Sequence, residues 1–390
     1  MCGAALFGIA HVKIETHISS KKITSLFSIL VRNWIQIVHI SLKTTMMELL
    51  DTASIRTVYR KSMDTDFDSI LKIADTEMYK QKKMLQKYKV MNKEKAYYHL
   101  PGLFEFYELY SVFLPLFRKH REYFYDWCEI GSIYGVPSDC IWGGGRAGFG
   151  DYNPKEVLSL MQEYGISARL TFSNSLLEEK HLADKKCNNL CTLFEKNKNV
   201  QNGVIVHSEL LLEYLKTNYP EFYFVSSTTK VLTEFDLLLN EINRDEFKFV
   251  VPDFRLNKTF DKLSTLSVDQ KDKVEFLCNE CCSFGCNDRK RCYETVSRKN
   301  LGEFCPEHKC SAPESSDGYR FSKAMTNPGF IGIDDIQNTY LPMGFSNFKI
   351  EGRGLGSALI LEFLLYYMTK PEYQLIVREE IYLDNMLDLF

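Results

Sequence analysis

Cysteine is concentrated in one short segment of this chain. Seven of the twelve cysteines lie between positions 278 and 310, namely Cys278, Cys281, Cys282, Cys286, Cys292, Cys305 and Cys310. Free cysteine behaves as a small hydrophobe, and burial alone does not explain its crowding among charged and amide side chains. Three kinds of chemistry would explain it: a disulfide framework, a zinc site or an iron–sulfur cluster.

The context of these cysteines favours a metal over disulfides. The chain does not open with an apolar signal segment, so we do not expect an oxidising compartment. Zinc would be held by Cys282 and Cys286 together with Cys305 and either His308 or Cys310. An iron–sulfur cluster also needs four thiolates and tolerates wider spacings. Zinc is the commoner solution for such a segment, but the spacing alone leaves the metal open.

A second group of residues suited to chemistry lies in the segment FKIEGR. Lys349, Glu351 and Arg353 alternate with apolar residues, which places the three charges on one side of a strand. Burying them unpaired would be costly, so the pattern predicts an anionic ligand or mutual ion pairing. Other polar residues follow apolar runs in the same way. The predicted pocket is lined by Asp253, Arg255, Asn279, Lys349, Glu351 and Arg353, with Arg255 and Arg353 as donors to an anion.

The elements that must position these residues alternate along the second part of the chain. From residue 140 onward, about seven short apolar runs are each followed by a helical pattern, which is typical of parallel strands joined by crossover helices. We therefore predict an α/β fold with a TIM-like (β/α) barrel over residues 140–390, and an open doubly wound sheet is the alternative. Residues 93–139 are predicted as a helical linker, and residues 1–92 as an incomplete α/β appendage.

Bulk composition narrows the function classes. The chain has 390 residues, a formal net charge of -3 and 45% hydrophobic residues, which is ordinary for a globular protein. This charge gives no global electrostatic reason to bind nucleic acid or an anionic membrane. The most apolar N-terminal run, Ile23 to Leu42, is interrupted by polar residues, so we expect no membrane span and a cytoplasmic location.

Three segments, NECCSFGC, NPGFIGIDDI and FSNFKIEGR, occur in this order. Together they resemble the collagenase-like peptidase U32 family over about residues 140 to 370. The resemblance implies a TIM-like barrel that holds a 4Fe-4S cluster, with Cys282 and Cys286 as the first two ligands. The other two would come from Cys292, Cys305 and Cys310, with Cys305 and Cys310 preferred. The extra cysteines Cys278, Cys281 and Cys292 leave this ligand set ambiguous.

The same resemblance implies a function. Members of the family are described as peptidases or as accessory proteins in oxygen-independent hydroxylation of RNA bases or of ubiquinone precursors. An iron–sulfur protein that modifies a nucleobase or a small aromatic substrate is therefore expected, or else a peptidase homologue. The substrate would be RNA, a small aromatic molecule or a peptide, and a protein of the same family could be a partner.

The residues themselves favour redox chemistry over hydrolysis. The chain contains no G-x-S-x-G and no H-E-x-x-H segment. A thiolate bound to iron is also not available as an acyl-transfer nucleophile. The alternative from another class is a non-catalytic zinc-knuckle protein that serves as a binding module or scaffold.

A smaller resemblance lies upstream. The segment from Asp66 to Lys83 is similar to the closing helix of GGDEF diguanylate cyclase domains, with Ala74, Asp75, Met78, Tyr79 and Lys82 in the corresponding places. The signature turn of these cyclases is absent from the sequence. The resemblance therefore implies a truncated remnant without cyclase activity, in a degenerate signalling protein, and a solvated basic helix would explain the same residues.

Overall fold

The computed structural model describes residues 93–196, 200–280, 282–306, 308–310 and 318–383. The predictions for residues 1–92, including the appendage and the GGDEF resemblance, lie outside this part of the chain. No helix in the described ranges combines the length and apolar character needed to cross a bilayer.

Within the described residues, eight parallel strands form one sheet. They are β1 (Ala96–Pro101), β2 (Cys128–Gly135), β3 (Ser167–Phe172), β4 (Gly203–Val206), β5 (Tyr223–Ser226), β6 (Phe247–Val250), β7 (Glu275–Leu277) and β8 (Asn347–Lys349). Their order in the sheet is β6-β5-β4-β3-β2-β1-β8-β7, and all paired strands are parallel. A parallel bridge between Val250 and Val274 connects the two edges. The result is a nearly closed (β/α) barrel, which confirms the predicted TIM-like fold.

Helices connect the strands on the outside of the barrel. They are α1 (Tyr107–Lys119), α2 (Pro154–Tyr164), α3 (Glu179–Leu182), α4 (Lys185–Glu195), α5 (Glu209–Asn218), α6 (Phe235–Ile242), α7 (Phe260–Ser264), α8 (Val268–Lys273), α9 (Arg289–Asn300), α10 (Phe321–Ala324), α11 (Ile333–Asp335), α12 (Ser357–Met368) and α13 (Gln374–Leu383). A π-helical turn, Ile336–Tyr340, follows α11, and 3-10 turns cover Arg121–Tyr123, Thr228–Lys230, Phe254–Leu256 and Pro371–Tyr373.

Helix α2 shows how local sequence sets these boundaries. The side chain of Asn153 caps the first turn by accepting from the backbone N–H of Lys155, and Pro154 occupies the first helical position. Gly165 ends the helix in the left-handed conformation, with φ of 64°. The segment NPKEVLSLMQEYG predicts this helix from its Asn-Pro start and its glycine stop, and the structure confirms both ends.

The prediction that residues 93–139 form a helical linker is wrong in one respect. Residues 93–139 contain helix α1, but they also contain β1 and β2, so the barrel begins at Ala96 and not at residue 140. Five of the six residues of β1 are buried, and the strand therefore lacks the apolar–polar alternation of a half-exposed strand. The segment CIWGGG, the first apolar run of the alternating pattern predicted from residue 140, forms turns after β2.

Strand side chains pack in two regions. Tyr98, Ala168 and Phe348 belong to the large apolar cluster between the strands and the helices. Tyr134, Ile205, Tyr223, Val225, Val251 and Leu277 form a smaller cluster inside the barrel. Polar residues share this interior, namely His99, Ser132, Arg169, Glu275, Asn347 and Lys349, and all of them are buried. The inside of the barrel is therefore charged as well as apolar.

Candidate functional site

The charged groups inside the barrel are arranged around Glu275. Its carboxylate accepts from Arg169 Nη1 at 2.5 Å and from Lys349 Nζ at 3.4 Å. His99 Nε2 lies 3.6 Å from the same carboxylate, while His99 Nδ1 contacts Ser132 Oγ at 2.8 Å. Lys349 Nζ also lies 3.4 Å from the centre of the Tyr134 ring, a cation–π contact. Lys349 is therefore fixed from two sides.

Burial and the neighbouring charges shift the pKa values of Glu275, His99 and Lys349. Burial by itself would raise the pKa of Glu275, but the charges of Arg169, His99 and Lys349 hold this pKa at about 2. Burial, aided by Arg169, lowers the pKa of His99 to about 3. Burial also lowers the pKa of Lys349 to about 8, although Glu275 opposes the shift. At neutral pH Glu275 is ionised and His99 is neutral.

A pair of carboxyl groups lies above this cluster, at the carboxyl ends of the strands. Glu280 follows β7 and Glu351 follows β8, and Arg146 Nη2 donates to both carboxyl groups at 2.9 Å. Arg289 Nη2 donates to the second oxygen of Glu280. A hydrogen bond also joins the side chains of Glu280 and Glu351. One guanidinium thus bridges two carboxyl groups that contact each other.

The two carboxyl groups of this pair differ in ionisation. Burial opposes the charge of Glu280, but Arg289 and Arg146 hold the pKa of Glu280 well below its usual value. Burial, together with the negative charge of Glu280, raises the pKa of Glu351 well above its usual value even though Arg146 opposes this. Glu351 therefore keeps the proton and donates the hydrogen bond, and Glu280 accepts it as a carboxylate.

A pocket opens at this mouth of the barrel. It is lined by Tyr134, Gly145, Arg146, Thr171, Ser173, Ile205, Ser227, Thr228, Thr229, Leu277, Tyr293, Lys349, Glu351, Gly352 and Arg353. The structure therefore brings together Lys349, Glu351 and Arg353, which the sequence placed on one side of a strand. They pair with residues of other segments and not with one another: Lys349 with Glu275, Glu351 with Arg146, and Arg353 Nε with Glu105 Oε1 at 2.8 Å.

The other three predicted pocket residues are not part of this lining. Asp253 accepts from Arg255 Nε at 2.6 Å and from Arg289 Nη1 at 3.3 Å. Arg255 Nη1 also donates to the carbonyl oxygen of Cys286 at 2.9 Å, so it connects the cysteine segment to the end of β6. The side chain of Asn279 accepts from the backbone N–H of Glu351 at 2.7 Å and donates to the carbonyl oxygen of Glu351 at 3.1 Å. Each of these residues positions a neighbour of the pocket.

Several residues of the site were missed or not selected from the sequence. Thr171 and Ser173 occupy alternate positions at the end of β3 and face the pocket, a two-residue period that could have identified them. Glu280 directly follows the predicted residue Asn279. Arg289 and Tyr293 lie one turn apart on α9, and their helical pattern gave no sign that they face the site.

The cysteine segment reaches the same mouth. Arg146 Nη1 lies 3.4 Å from Cys282 Sγ, and the backbone N–H of Cys282 donates to Glu280 Oε1 at 3.0 Å. Burial raises the pKa of Cys292 on α9, Arg146 opposes the shift, and neighbouring Cys282, Cys310 and Cys286 add to it. The thiols of Cys282, Cys286 and Cys310 therefore each lie within electrostatic range of Cys292.

Cys278 and Cys305, two other cysteines of the segment, contact backbone carbonyl groups. Cys278 is buried in the large apolar cluster, with Sγ 3.6 Å from the carbonyl oxygen of Phe276. Cys305 Sγ lies 3.8 Å from the carbonyl oxygen of Thr295. In the described ranges, no three histidine, cysteine, aspartate or glutamate side chains are close enough to hold a metal ion. The expected set Cys282, Cys286, Cys305 and Cys310 is not assembled, and it stays a prediction.

Comparisons with known proteins add little to this geometry. No protein-family model matches the chain, and no curated protein matches it. A search of solved structures finds a U32 peptidase that is 13% identical, with a TM-score of 0.39, over 57% of this chain and 85% of that one. A similarity this distant carries no functional argument, so the fold assignment rests on the strand order.

Proposed function

We propose that the mouth of this barrel is the active site of a U32-like iron–sulfur protein that modifies a small substrate without molecular oxygen. One observation supports the proposal above the others. The guanidinium of Arg146 contacts Cys282 Sγ and both carboxyl groups of the Glu280–Glu351 pair. Arg146 would therefore contact both a ligand of the cluster and the carboxyl groups that transfer protons.

The donor set suits an iron–sulfur cluster in its chemistry. Cys282 and Cys286 would hold the cluster together with two of Cys292, Cys305 and Cys310. Cys310 is exposed and the other four residues are partly exposed. Thiolates are the ligands of such clusters, and the positive charge of Arg146 lies beside one of them. When bound, the cluster would supply one-electron chemistry. Binding would require the thiols to move closer together than they are in this structure.

The chain's own residues would handle the protons. Glu351 carries a proton next to the pocket, and Glu280 remains ionised because two guanidinium groups hold its charge. Two carboxyl groups with pKa values pushed apart are suited to act as a general acid and its conjugate partner. Arg146 and Arg289 would keep this pair oriented while a proton moves between Glu351 and the substrate.

The substrate expected from the sequence, a nucleobase or a small aromatic compound, fits the lining of the pocket in one respect. Tyr134 and Tyr293 provide aromatic walls. Aromatic side chains pack against ring systems in offset or edge-to-face arrangements. A free base, an unpaired base of RNA and a phenolic compound remain the three substrates that an activity assay would compare.

A peptidase is the second candidate, because the hydroxyl of one pocket residue contacts an imidazole. His207 Nδ1 lies 2.8 Å from Thr229 Oγ1, and Thr229 lines the pocket. The pair is poorly suited to acyl transfer. Burial and the charge of Lys230 lower the pKa of His207 to about 4, which makes it a weak base at neutral pH. The Thr229 hydroxyl is also buried and lies 2.9 Å from Ser227 Oγ.

Metal analysis tests the proposal against the zinc alternative. The full chain is purified anaerobically, its absorption spectrum is recorded, and iron, sulfide and zinc are measured. We expect a brown protein with about four irons, and loss of iron and sulfide in Cys282→Ser and Cys286→Ser. Cys191→Ala, which changes a buried cysteine on α4, serves as the matched control and should retain iron. A colourless protein with stoichiometric zinc would instead indicate a zinc-knuckle scaffold.

A further inference from the structure

Two buried hydroxyl groups in the pocket have no hydrogen-bond partner among the described residues. They are Thr171 Oγ1 and Ser173 Oγ, in residues that are 6% and 1% exposed. Both residues line the pocket. Leaving a buried hydroxyl unsatisfied destabilises a protein, and native structures contain few such groups. These two hydroxyls therefore mark a place where a bound molecule would complete the hydrogen bonding.

The charged residues around these hydroxyls already have partners of opposite charge. Arg353 pairs with Glu105, Lys349 pairs with Glu275, and Arg146 contacts the Glu280–Glu351 pair. A charged ligand would compete with these pairs. The Arg353–Glu105 and Lys349–Glu275 pairs are buried, so separating them is strongly unfavourable. The Thr171 and Ser173 hydroxyls are neutral, and the lining of the pocket also includes the apolar side chains of Ile205 and Leu277.

We propose that Thr171 and Ser173 bind an uncharged molecule with a small apolar body and hydrogen-bonding groups at two positions. The two residues are two positions apart at the end of β3, so their hydroxyls project from the same side of the strand, roughly 7 Å apart. A molecule that spans this distance would contact both hydroxyls and place an edge near Glu351. The inference deepens the proposed function and rests on it only for the location of the site.

Three probes of nearly the same shape test the charge preference. Benzamide is neutral, benzoate is an anion and benzamidine is a cation. Binding of each to the full chain is measured by ligand-observed NMR titration at pH 7. We expect benzamide to bind more tightly than benzoate and benzamidine. Tighter binding of benzoate or benzamidine, or no binding of any probe, would overturn the proposal.

Substitutions then test the two hydroxyls. Thr171→Val and Ser173→Ala should each weaken benzamide binding about five- to tenfold. Neither should lower the melting temperature, because each removes a hydroxyl that has no protein partner. The matched control is Ser167→Ala at the other end of β3, whose hydroxyl contacts Gln201 O and Tyr223 OH. It should lower the melting temperature and leave binding unchanged. Unchanged affinity in both pocket variants would refute the assignment.

A separate experiment tests the iron–sulfur proposal. Benzamide titrations are repeated on Cys282→Ser protein, and its iron content is measured in the same preparation. Retained binding with no iron in either protein would contradict the proposed cofactor and support the hydroxyl site. Iron in the wild-type protein without binding of any probe would contradict the hydroxyl site alone.

Discussion

Arg169 on β3 and Glu275 on β7 form an ion pair inside the barrel, with 2.5 Å between Nη1 and Oε2. The two strands lie four positions apart in either direction around the eight-stranded barrel, so the pair spans its diameter. Both side chains are buried. Arg169 Nε also donates to Tyr223 OH at 2.8 Å, which ties the pair to β5. The pair therefore connects opposite walls beneath the pocket.

Removing one member of this pair should destabilise the protein. Arg169→Met leaves the Glu275 carboxylate buried without its closest partner, and we expect a loss of about 3–5 kcal/mol in the free energy of unfolding. The double variant Arg169→Met/Glu275→Gln should recover part of the loss, because no uncompensated carboxylate remains. Urea denaturation of both variants measures this. A loss below about 1 kcal/mol in the single variant would contradict the role assigned to the pair.

His99 should make the fold sensitive to mild acid. Its pKa is about 3 in the folded protein and 6.5 in its ordinary state, so the unfolded chain binds the proton first as pH falls. Stability from this group is complete above pH 6.5 and decreases as pH falls towards 3, by about 2 kcal/mol between pH 6.5 and 5. His99→Gln should flatten this part of the pH profile. His120→Gln, at a partly exposed histidine, serves as the matched control.

The two members of the carboxyl pair should respond differently to amidation. Glu351→Gln replaces a carboxyl that is protonated in the folded protein but ionised in the unfolded chain at pH 7. Folding of the variant no longer has to bind a proton, so the unfolding free energy at pH 7 should rise. Glu280→Gln removes the negative charge that faces Arg289 and Arg146, and it should destabilise by about 3 kcal/mol or more. Equal effects of the two substitutions on denaturation would show that the proton is not held by Glu351.

Gly144 should be intolerant of any side chain. A Cβ atom at this position would lie 2.3 Å from the carbonyl oxygen of Ser173, so the backbone beside the pocket would have to move. Gly144→Ala should destabilise by about 1–3 kcal/mol and weaken benzamide binding. Gly285→Ala, in the cysteine segment, meets no atom within 4 Å among the described residues and should do neither. The comparison needs only thermal melting and the NMR titration.

The features predicted correctly from the sequence are those that depend on residues close together in the chain. Alternating apolar runs and helical patterns predicted the barrel, and Asn153 and Gly165 predicted the ends of a helix, because capping and periodicity depend on neighbouring residues. The alternation in FKIEGR also predicted that Lys349, Glu351 and Arg353 share a side. The same reasoning missed β1 and β2. Five of the six residues of β1 are buried, and a strand buried on both faces loses the alternation that identifies it.

Which charged side chains pair with one another depends on closure of the barrel. Arg169 stands alone in the apolar run SARLTF, and Glu275 opens the short run EFL, so nothing local connects them. Barrel closure brings the two strands to opposite walls of one interior, where burial makes their pairing necessary. Likewise, the proton shared by Glu280 and Glu351 requires the ends of β7 and β8 to meet. The sequence by itself determined the fold class and the cysteine-rich segment; tertiary packing alone decided which charges meet and which hydroxyls remain for a ligand.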